Sequence, residues 1–150
     1  MQKSPRCAQK KKLDKIKVVL DTNVFVSAFL SPGGTAAQIV AFTWQGKFQA
    51  CYNQAIFDEY VEVLSRDKFK FKIPQEDIQE ITGTIKKDGL SFDIQPSSFP
   101  MLDETDRVFY DVAKCSGAFL ITGNKKHYPD EPFIIPPRDF MNAAAKVLRR

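Results

Sequence analysis

Four residues that lie far apart in the chain have the oxygen-bearing side chains that divalent-metal chemistry requires: Asp21, Glu59, Asp106 and Asn124. Carboxylates that share a small site repel one another and raise one another's pKa values unless a cation neutralises them. Oxygen ligands without clustered Cys or His select Mg²⁺ or Mn²⁺ and disfavour zinc. If these side chains meet, the chemistry they predict is metal-assisted hydrolysis of a phosphodiester bond.

Asp21 directly follows residues 16–20, a run with four apolar members out of five, which is typical of a strand buried on both faces. In open α/β sheets, ligands bind beyond the carboxyl ends of the strands, so Asp21 is well placed for chemistry. Asp is also a favoured N-cap for a helix that begins at Thr22. A purely structural capping role is therefore the alternative.

Glu59 and Asp106 are predicted to lie on helices. The period of residues 54–66 indicates a helix, with Glu59 on the margin of its apolar stripe, where a carboxylate can face a cleft. Asp106 lies in the first turn of a helix that reaches Ser116. Asp103 and Asp106 also have the spacing of a capping box, which would account for both without catalysis.

Short apolar segments alternate with helical ones along the chain. The predicted strands are residues 16–20, 48–52, 90–94, 118–122 and 133–135, and the predicted helices are residues 22–30, 35–45, 54–66, 75–87, 103–116 and 137–148. This alternation predicts an α/β fold with a parallel sheet, right-handed crossovers and helices on both faces. Such a sheet brings the ends of strands 1 and 4 to one rim, and Asn124 lies just beyond strand 4.

The length of 150 residues and the composition predict one globular domain, residues 16–150, preceded by a basic tail, residues 1–15. The tail carries six basic residues and one acidic residue, whereas the remainder has a net charge of −1. We expect the tail to be flexible, either solvated or in contact with nucleic-acid phosphates. No apolar run approaches a membrane span and the N-terminus has no apolar signal core, so we expect a cytoplasmic protein with no membrane partner.

Two groups of basic residues are candidates for substrate binding. Lys125, Lys126 and His127 follow strand 4 and could contact substrate phosphates; a role of His127 as general acid or base is less favoured, because a metal site does not require one. Lys68 and Lys70 belong to an interleaved basic and aromatic segment, residues 68–72, that could grip a nucleic-acid backbone. The alternative is that its phenylalanines pack down and its lysines are solvated.

Four segments together resemble PIN-domain proteins, and more specifically the toxin ribonucleases of VapC-like bacterial toxin–antitoxin pairs. The segments are VVLDTNVFVSA around Asp21, IFDEYVEVLSR around Glu59, DETDRVFYDVAK around Asp106 and FLITGNKKHY around Asn124. They follow the family's order over residues 16–148. The resemblance implies a three-layer α/β/α sandwich with a central parallel sheet, an RNA substrate, a homodimer and inhibition by a cognate antitoxin.

The resemblance also implies the roles of individual residues. Asp21, Glu59 and Asp106 would hold Mg²⁺ or Mn²⁺, while Thr22, Asn23 and Thr122 would shape the site. Many family members carry Asp at the position of Asn124, and asparagine offers a carbonyl oxygen without charge. A second metal would then be held less well, unless Asp103 or Asp130 supplied the missing charge.

Three functions compete at this point. The first is a divalent-metal-dependent endoribonuclease, the toxin of a toxin–antitoxin pair. The second, favoured by Asn124, is a catalytically weak or silent PIN-fold module that binds RNA or a protein partner. The third is a phosphatase with an aspartyl nucleophile, which is disfavoured because Asn23 stands where that class needs a second Asp.

Overall fold

The structure is a computed structural model that describes residues 15–148. The strands in this range are β1 (Ile16–Leu20), β2 (Phe48–Tyr52), β3 (Leu90–Ser91), β4 (Phe119–Ile121) and β5 (Ile134–Ile135). The helices are α1 (Thr22–Leu30), α2 (Thr35–Trp44), α3 (Gln54–Leu64), α4 (Gln75–Asp88), α5 (Arg107–Ser116) and α6 (Pro137–Leu148). Apart from Lys15, the predicted tail lies outside the described residues, and the division at residue 15 stays a prediction.

The strands form a parallel sheet in the order β3-β2-β1-β4-β5, which confirms the predicted sheet type. β1 lies in the middle and pairs with β2 and β4, with Val18 opposite Ala50 on one side and Phe119 on the other. A central strand has neighbours on both edges and helices on both faces, so its side chains are excluded from water. Val18 and Val19 are accordingly 0% exposed.

Helices cover both faces of the sheet, as an α/β/α sandwich requires. The connections from β1 to β2 and from β2 to β3 step in one direction, whereas the connection from β3 to β4 returns across the sheet. Because such crossovers are right-handed, α5 on the returning connection lies on the face opposite α1 to α4. Helix α5 packs on β1, β2 and β4, while α2 and α4 pack on β2.

Local sequence signals account for most element ends. Gly46 and Gly117 follow α2 and α5 with φ of 84° and 75°, the left-handed conformation that suits glycine and ends a helix. The Asn53 side chain accepts a hydrogen bond from the Ile56 amide at 3.0 Å and caps α3. β3 is shorter than the predicted residues 90–94, because its partner β2 ends at Tyr52 and leaves little to pair with.

Aromatic side chains of the helices and of β2 pack against one another in the core. The Phe25 ring of α1 lies 4.9 Å from the Tyr60 ring of α3, and the Phe140 ring of α6 lies 5.0 Å from the Phe48 ring of β2. Within residues 15–148, no single helix is long and apolar enough to cross a membrane; α1 and α2 meet that test only as a pair bent by 109°. Both helices contribute residues to the buried core.

Candidate active site

The candidate site lies at the carboxyl ends of β1 and β4. These strands are neighbours, but the chain leaves them toward opposite edges of the sheet. Their pairing continues past β1, since the Asp21 amide donates a hydrogen bond to the Ile121 carbonyl at 3.0 Å. A reversal of this kind opens a crevice beyond the strand ends, and it is where open α/β sheets bind ligands.

Asp21 is buried, with 7% of its surface exposed, and its side chain faces β4 and the turn that follows it. The Thr122 hydroxyl donates to Asp21 Oδ2 at 2.8 Å, and the Tyr128 hydroxyl donates to the same oxygen at 3.0 Å. Burial raises the pKa of Asp21, and these donors oppose that rise.

The alternative role for Asp21, capping of α1, is only partly fulfilled. Its backbone occupies the N-cap position, but its side chain makes no capping hydrogen bond. After burial and the two hydroxyl donors, the nearby amides of Asn23 and Thr22 are further influences on the pKa of Asp21, and both lower it. The main partners of the carboxylate are therefore Thr122 and Tyr128, which lie 101 and 107 positions away in the chain, and its own helix contributes less.

Glu59 reaches the same rim from α3. The Thr22 hydroxyl donates to Glu59 Oε2 at 3.2 Å, which links the carboxylate to the residue after Asp21. The neighbouring Tyr60 hydroxyl donates to the Leu20 carbonyl at 2.6 Å and fixes α3 against the last residue of β1. Burial raises the pKa of Glu59, and the charge of Asp21 adds to the rise.

Asp106 reaches the rim from the 3₁₀ turn Glu104–Asp106, which leads into α5. Asp103 caps this turn, accepting hydrogen bonds from the Thr105 amide at 3.0 Å and the Thr105 hydroxyl at 2.8 Å. Asp103 therefore caps the turn, but the two residues do not form a capping box, because the Asp103 side chain bonds Thr105 and the Asp106 side chain makes no capping hydrogen bond. Burial raises the pKa of Asp106 from 3.8 to about 6, the carboxylates of Asp21, Asp103 and Glu59 add to this, and His127 opposes it.

The three predicted acids are therefore electrostatic neighbours. Burial raises the pKa of Tyr128, and the charges of Asp21, Asp106 and Glu59 raise it further, so that this tyrosine lies within reach of all three. The acids do not form a closed ligand cluster: among residues 15–148, no group of three or more His, Cys, Asp or Glu side chains is arranged to hold a metal ion. The arrangement is an electronegative rim whose repulsion a cation would relieve.

Residues beyond β4 tie the rim together. The Gly123 amide donates to Asn23 Oδ1 at 3.3 Å, and the Asn124 amide donates to the Thr122 hydroxyl at 3.0 Å. Asn23 and Thr122 thus hold the end of β4 against the start of α1, and their site-shaping role stays a prediction. The Asn124 side chain is exposed and caps no helix, and its role as a ligand stays a prediction.

The basic candidates differ in their surroundings. The Lys125 ammonium donates to the Ile134 carbonyl at 2.9 Å and lies 4.0 Å from Asp130, so it is engaged with β5 and its turn. His127 lies near Asp106 and is exposed, as is Lys126. Asp130 is fully exposed and lies 4.0 Å from Lys125, whereas the charge of Asp103 raises the pKa of Asp106, which favours Asp103 as the source of an additional charge.

The segment with Lys68 and Lys70 is exposed and lies beyond the end of α3. The Lys68 ammonium is 5.2 Å from the Phe69 ring centroid, and the Lys70 ammonium is 5.4 Å from that of Phe71. Phe69 packs on the core, but Phe71 is 91% exposed. The alternative in which both phenylalanines pack down is therefore wrong for Phe71.

Tyr128 and Tyr60 are the two residues of the rim that the sequence did not single out. Tyr128 stands at the end of the segment FLITGNKKHY, and only the 3₁₀ turn Lys125–His127 returns it to Asp21. Tyr60 follows Glu59 and looks like any other core residue of an amphipathic helix. Neither carries a pattern in the sequence that distinguishes a hydroxyl bonded at a site from one bonded elsewhere.

Two cavities of about 300 and 290 Å³ lie under α2 and α4, and none of the three acids lines them. The larger is bordered by Lys15, Gly46 and Gly89, and the smaller by apolar residues of α1 and α2. A small cavity suits a compact ligand. An open rim at the strand ends suits a polymer that passes across the surface, and the acids lie there.

Comparison with known proteins gives two findings. Residues 17–126 match the family model described as PIN domain, a range that contains Asp21, Glu59, Asp106 and Asn124. The chain is also 31% identical over 112 residues to an uncharacterized protein of Methanocaldococcus jannaschii, an alignment that covers 74% of this chain and 72% of that protein.

Proposed function

The chain belongs to the PIN domain family, and on this premise we propose that it is a divalent-metal-dependent endoribonuclease that hydrolyses RNA phosphodiester bonds. The observation that carries the proposal is that Asp21 and Glu59 are held at one strand-end rim by hydrogen bonds from Thr122, Tyr128 and Thr22, with Asp106 close enough for the charge of Asp21 to raise its pKa. Burial raises the pKa of all three, and the charge of at least one other acid raises the pKa of Glu59 and of Asp106 further. Carboxylates that have raised pKa values and lie together at a strand-end crevice form a candidate site for a cation.

The donor set fits a hard divalent ion. Asp21, Glu59 and Asp106 would hold Mg²⁺ or Mn²⁺ through carboxylate oxygens, which are the ligands that these ions prefer. When bound, such an ion supplies activation of an attacking water and neutralises charge on the phosphoryl oxygens. With Asn124 neutral, we propose that a single ion suffices.

The chain's own residues orient these acids. Two hydroxyls fix one oxygen of Asp21 and keep its charge stabilised, which leaves its second oxygen for a cation. Thr22 holds Glu59 with one hydrogen bond, so this side chain keeps its direction toward the rim. His127 is exposed and lies near Asp106, and together with the exposed Lys126 that precedes it, it would attract the RNA phosphates to a rim that would otherwise repel them.

The test compares RNA cleavage by the parent with cleavage by Asp21→Asn and Asp106→Asn at equal Mg²⁺. We expect both variants to lose cleavage by at least about a hundredfold while circular dichroism shows an intact fold. Asp58→Asn is the matched control, because Asp58 is an exposed acid of the same helix as Glu59. Cleavage by the acid variants at the parent rate would overturn the assignment.

A second candidate is a catalytically weak or silent PIN-fold module that binds RNA or a protein partner. Two observations favour it: Asn124 lacks a charge, and no group of acids in residues 15–148 is already arranged around a metal position. Such a module would bind RNA equally well with and without Mg²⁺ and would leave it intact. The endoribonuclease would cleave only with the ion.

We extend the proposal to biological context on the resemblance of the four segments alone. The protein would be the toxin of a toxin–antitoxin pair, a cytoplasmic homodimer that a cognate antitoxin inhibits. A neighbouring reading frame for a small DNA-binding protein that blocks RNA cleavage would support this. A monomer in light scattering, with no inhibitor encoded nearby, would contradict it and leave the nuclease proposal standing.

A further inference from the structure

The segment after α3, residues 66–72, is a concentrated basic surface that we call the basic loop. It holds Arg66, Lys68, Lys70 and Lys72 against one acid, Asp67, whereas residues 16–150 as a whole have a net charge of −1. Arg66 pairs with Glu62 at 2.9 Å, but no acidic side chain of residues 15–148 pairs with the three lysines. The loop is therefore a patch of unneutralised positive charge on a domain that is otherwise acidic.

The loop has a defined backbone. The Phe69 amide donates to the Arg66 carbonyl at 2.9 Å, and the amides of Lys72 and Ile73 both donate to the Phe69 carbonyl at 2.8 Å. Ile73 is 2% exposed and anchors the end of the loop in the core. The chain turns tightly between these anchors, so Phe71 at the tip is presented to solvent by a held backbone.

Phe71 is the most exposed large apolar side chain in the described part of the molecule, with 91% of its surface accessible. Leaving a phenylalanine in water forgoes the stabilisation that its burial would give. The Lys70 ammonium lies over the ring at 5.4 Å, which sets a cation beside an open aromatic face. This pairing of a ring and a cation suits a ligand that is itself aromatic and anionic.

The basic loop begins beside the candidate active site. Burial raises the pKa of Glu59, whereas the charge of Arg66 lowers it, so the first residue of the loop is within electrostatic reach of a rim carboxylate. Arg66 lies two residues beyond the end of α3 and pairs at 2.9 Å with Glu62, which lies about one helical turn after Glu59. A polymer bound at the rim can therefore run along the end of α3 to the loop.

We propose that the basic loop binds single-stranded RNA on one side of the cleaved bond, with a base stacked on Phe71 and phosphates beside Lys70 and Lys72. The inference rests on the proposed function, since it assigns the loop to the same substrate. Single strands alternate bases with phosphates, and the loop alternates rings with cations in the same way. One isolated ring is too small an apolar area to hold a protein partner.

The test measures binding of a labelled single-stranded RNA by the full chain in EDTA, so that no cleavage takes place. Phe71→Ala should weaken binding by roughly 5- to 150-fold, the range for loss of one base–aromatic stack. Lys72→Gln should lower the slope of log K against log salt by about 0.7. Val147→Ala, an exposed apolar residue of α6, is the matched control and should bind as the parent does.

A Phe71→Trp variant reports stacking directly. The chain has one tryptophan, Trp44, so the variant adds a single emitter at the loop tip. Single-stranded RNA should quench the added fluorescence, and an oligomer of ribose phosphate without bases should not. Quenching by anionic lipid vesicles but not by RNA would overturn the proposal in favour of a membrane surface.

The outcome separates this inference from the proposed function. If the parent cleaves RNA with Mg²⁺ while Phe71→Ala binds and cleaves equally well, the loop assignment is wrong and the nuclease stands. If Phe71→Ala raises KM for RNA without changing kcat, the loop assignment is supported. If the parent binds RNA through Phe71 in EDTA but never cleaves it, the inference stands and the proposed function is wrong.

Discussion

Replacing Asp106 with asparagine should stabilise the metal-free protein at neutral pH. Burial and nearby carboxylates raise the pKa of Asp106 from 3.8 to about 6, so folding at neutral pH includes the cost of keeping this group ionised. Each pKa unit is worth about 1.4 kcal/mol, which sets an upper limit of about 3 kcal/mol. Asp106 is only partly buried, and solvent screening reduces the expected gain in the free energy of unfolding to about 1 to 2 kcal/mol.

The direction of this effect follows from proton binding. The folded state holds the proton of Asp106 more tightly than the unfolded chain does, so the group favours folding below its unfolded pKa of 3.8. That contribution is lost as the pH rises through the folded pKa of about 6. Asparagine has no proton to lose, so the difference between Asp106→Asn and the parent should be large at neutral pH and close to zero near pH ~3, below the unfolded pKa.

Urea unfolding in EDTA at both pH values measures the difference, and the melting temperature at neutral pH should rise by roughly 2 to 8 °C. Asp58→Asn, an exposed acid, should change the free energy of unfolding by less than about 0.5 kcal/mol. Addition of Mn²⁺ should then stabilise the parent and not Asp106→Asn, because only the parent keeps the ligand. If the variant is less stable than the parent at neutral pH, or if its free energy of unfolding changes equally at both pH values, then the raised pKa of Asp106 does not destabilise the folded protein.

Two further predictions concern the support of the site and the fold. Thr122→Val and Tyr128→Phe each remove a hydrogen-bond donor that lowers the pKa of Asp21. The affinity for Mn²⁺ should therefore fall by roughly 10-fold, and the acid limb of the pH profile of RNA cleavage should move to higher pH. An unchanged pH profile would contradict this prediction. Gly89→Ala places a Cβ 2.6 Å from a backbone oxygen of α4 and should lower the free energy of unfolding by about 1 to 3 kcal/mol. Gly83→Ala has open space around it and should raise the free energy of unfolding by about 0.5 to 1 kcal/mol. Equal effects of the two substitutions would contradict this difference in packing.

The sheet was predictable because its signals are local. The residues of β1 are apolar except for Lys17, and Gly46 marks the end of α2. Strands and helices alternate along the chain, and only a few topologies are compatible with this order when every crossover is right-handed. Placement of Asp21 and Asn124 near one rim follows from strand ends alone. The length of β3 did not follow, because it depends on where its partner β2 stops.

The hydrogen bonds within the site were not predictable. Asp21 could equally have capped α1, and only the three-dimensional approach of β4 supplies the Thr122 hydroxyl as a partner. Tyr128 reaches Asp21 because a 3₁₀ turn reverses the chain, and no residue period signals that reversal. The exposure of Phe71 was not predictable either, because the sequence pattern of residues 68–72 does not distinguish a ring that packs on the core from one that faces solvent.

We propose that Asp21, Glu59 and Asp106 hold one divalent ion together at the rim. Titration calorimetry with Mn²⁺ at neutral pH tests it most directly, on the parent, Asp21→Asn, Asp106→Asn and the control Asp58→Asn. We predict that the parent and the control bind the ion at millimolar concentration or below and that both rim variants lose this binding. If the parent takes up no ion at millimolar concentration, or if the rim variants bind it as the parent does, then these acids do not hold a divalent ion together.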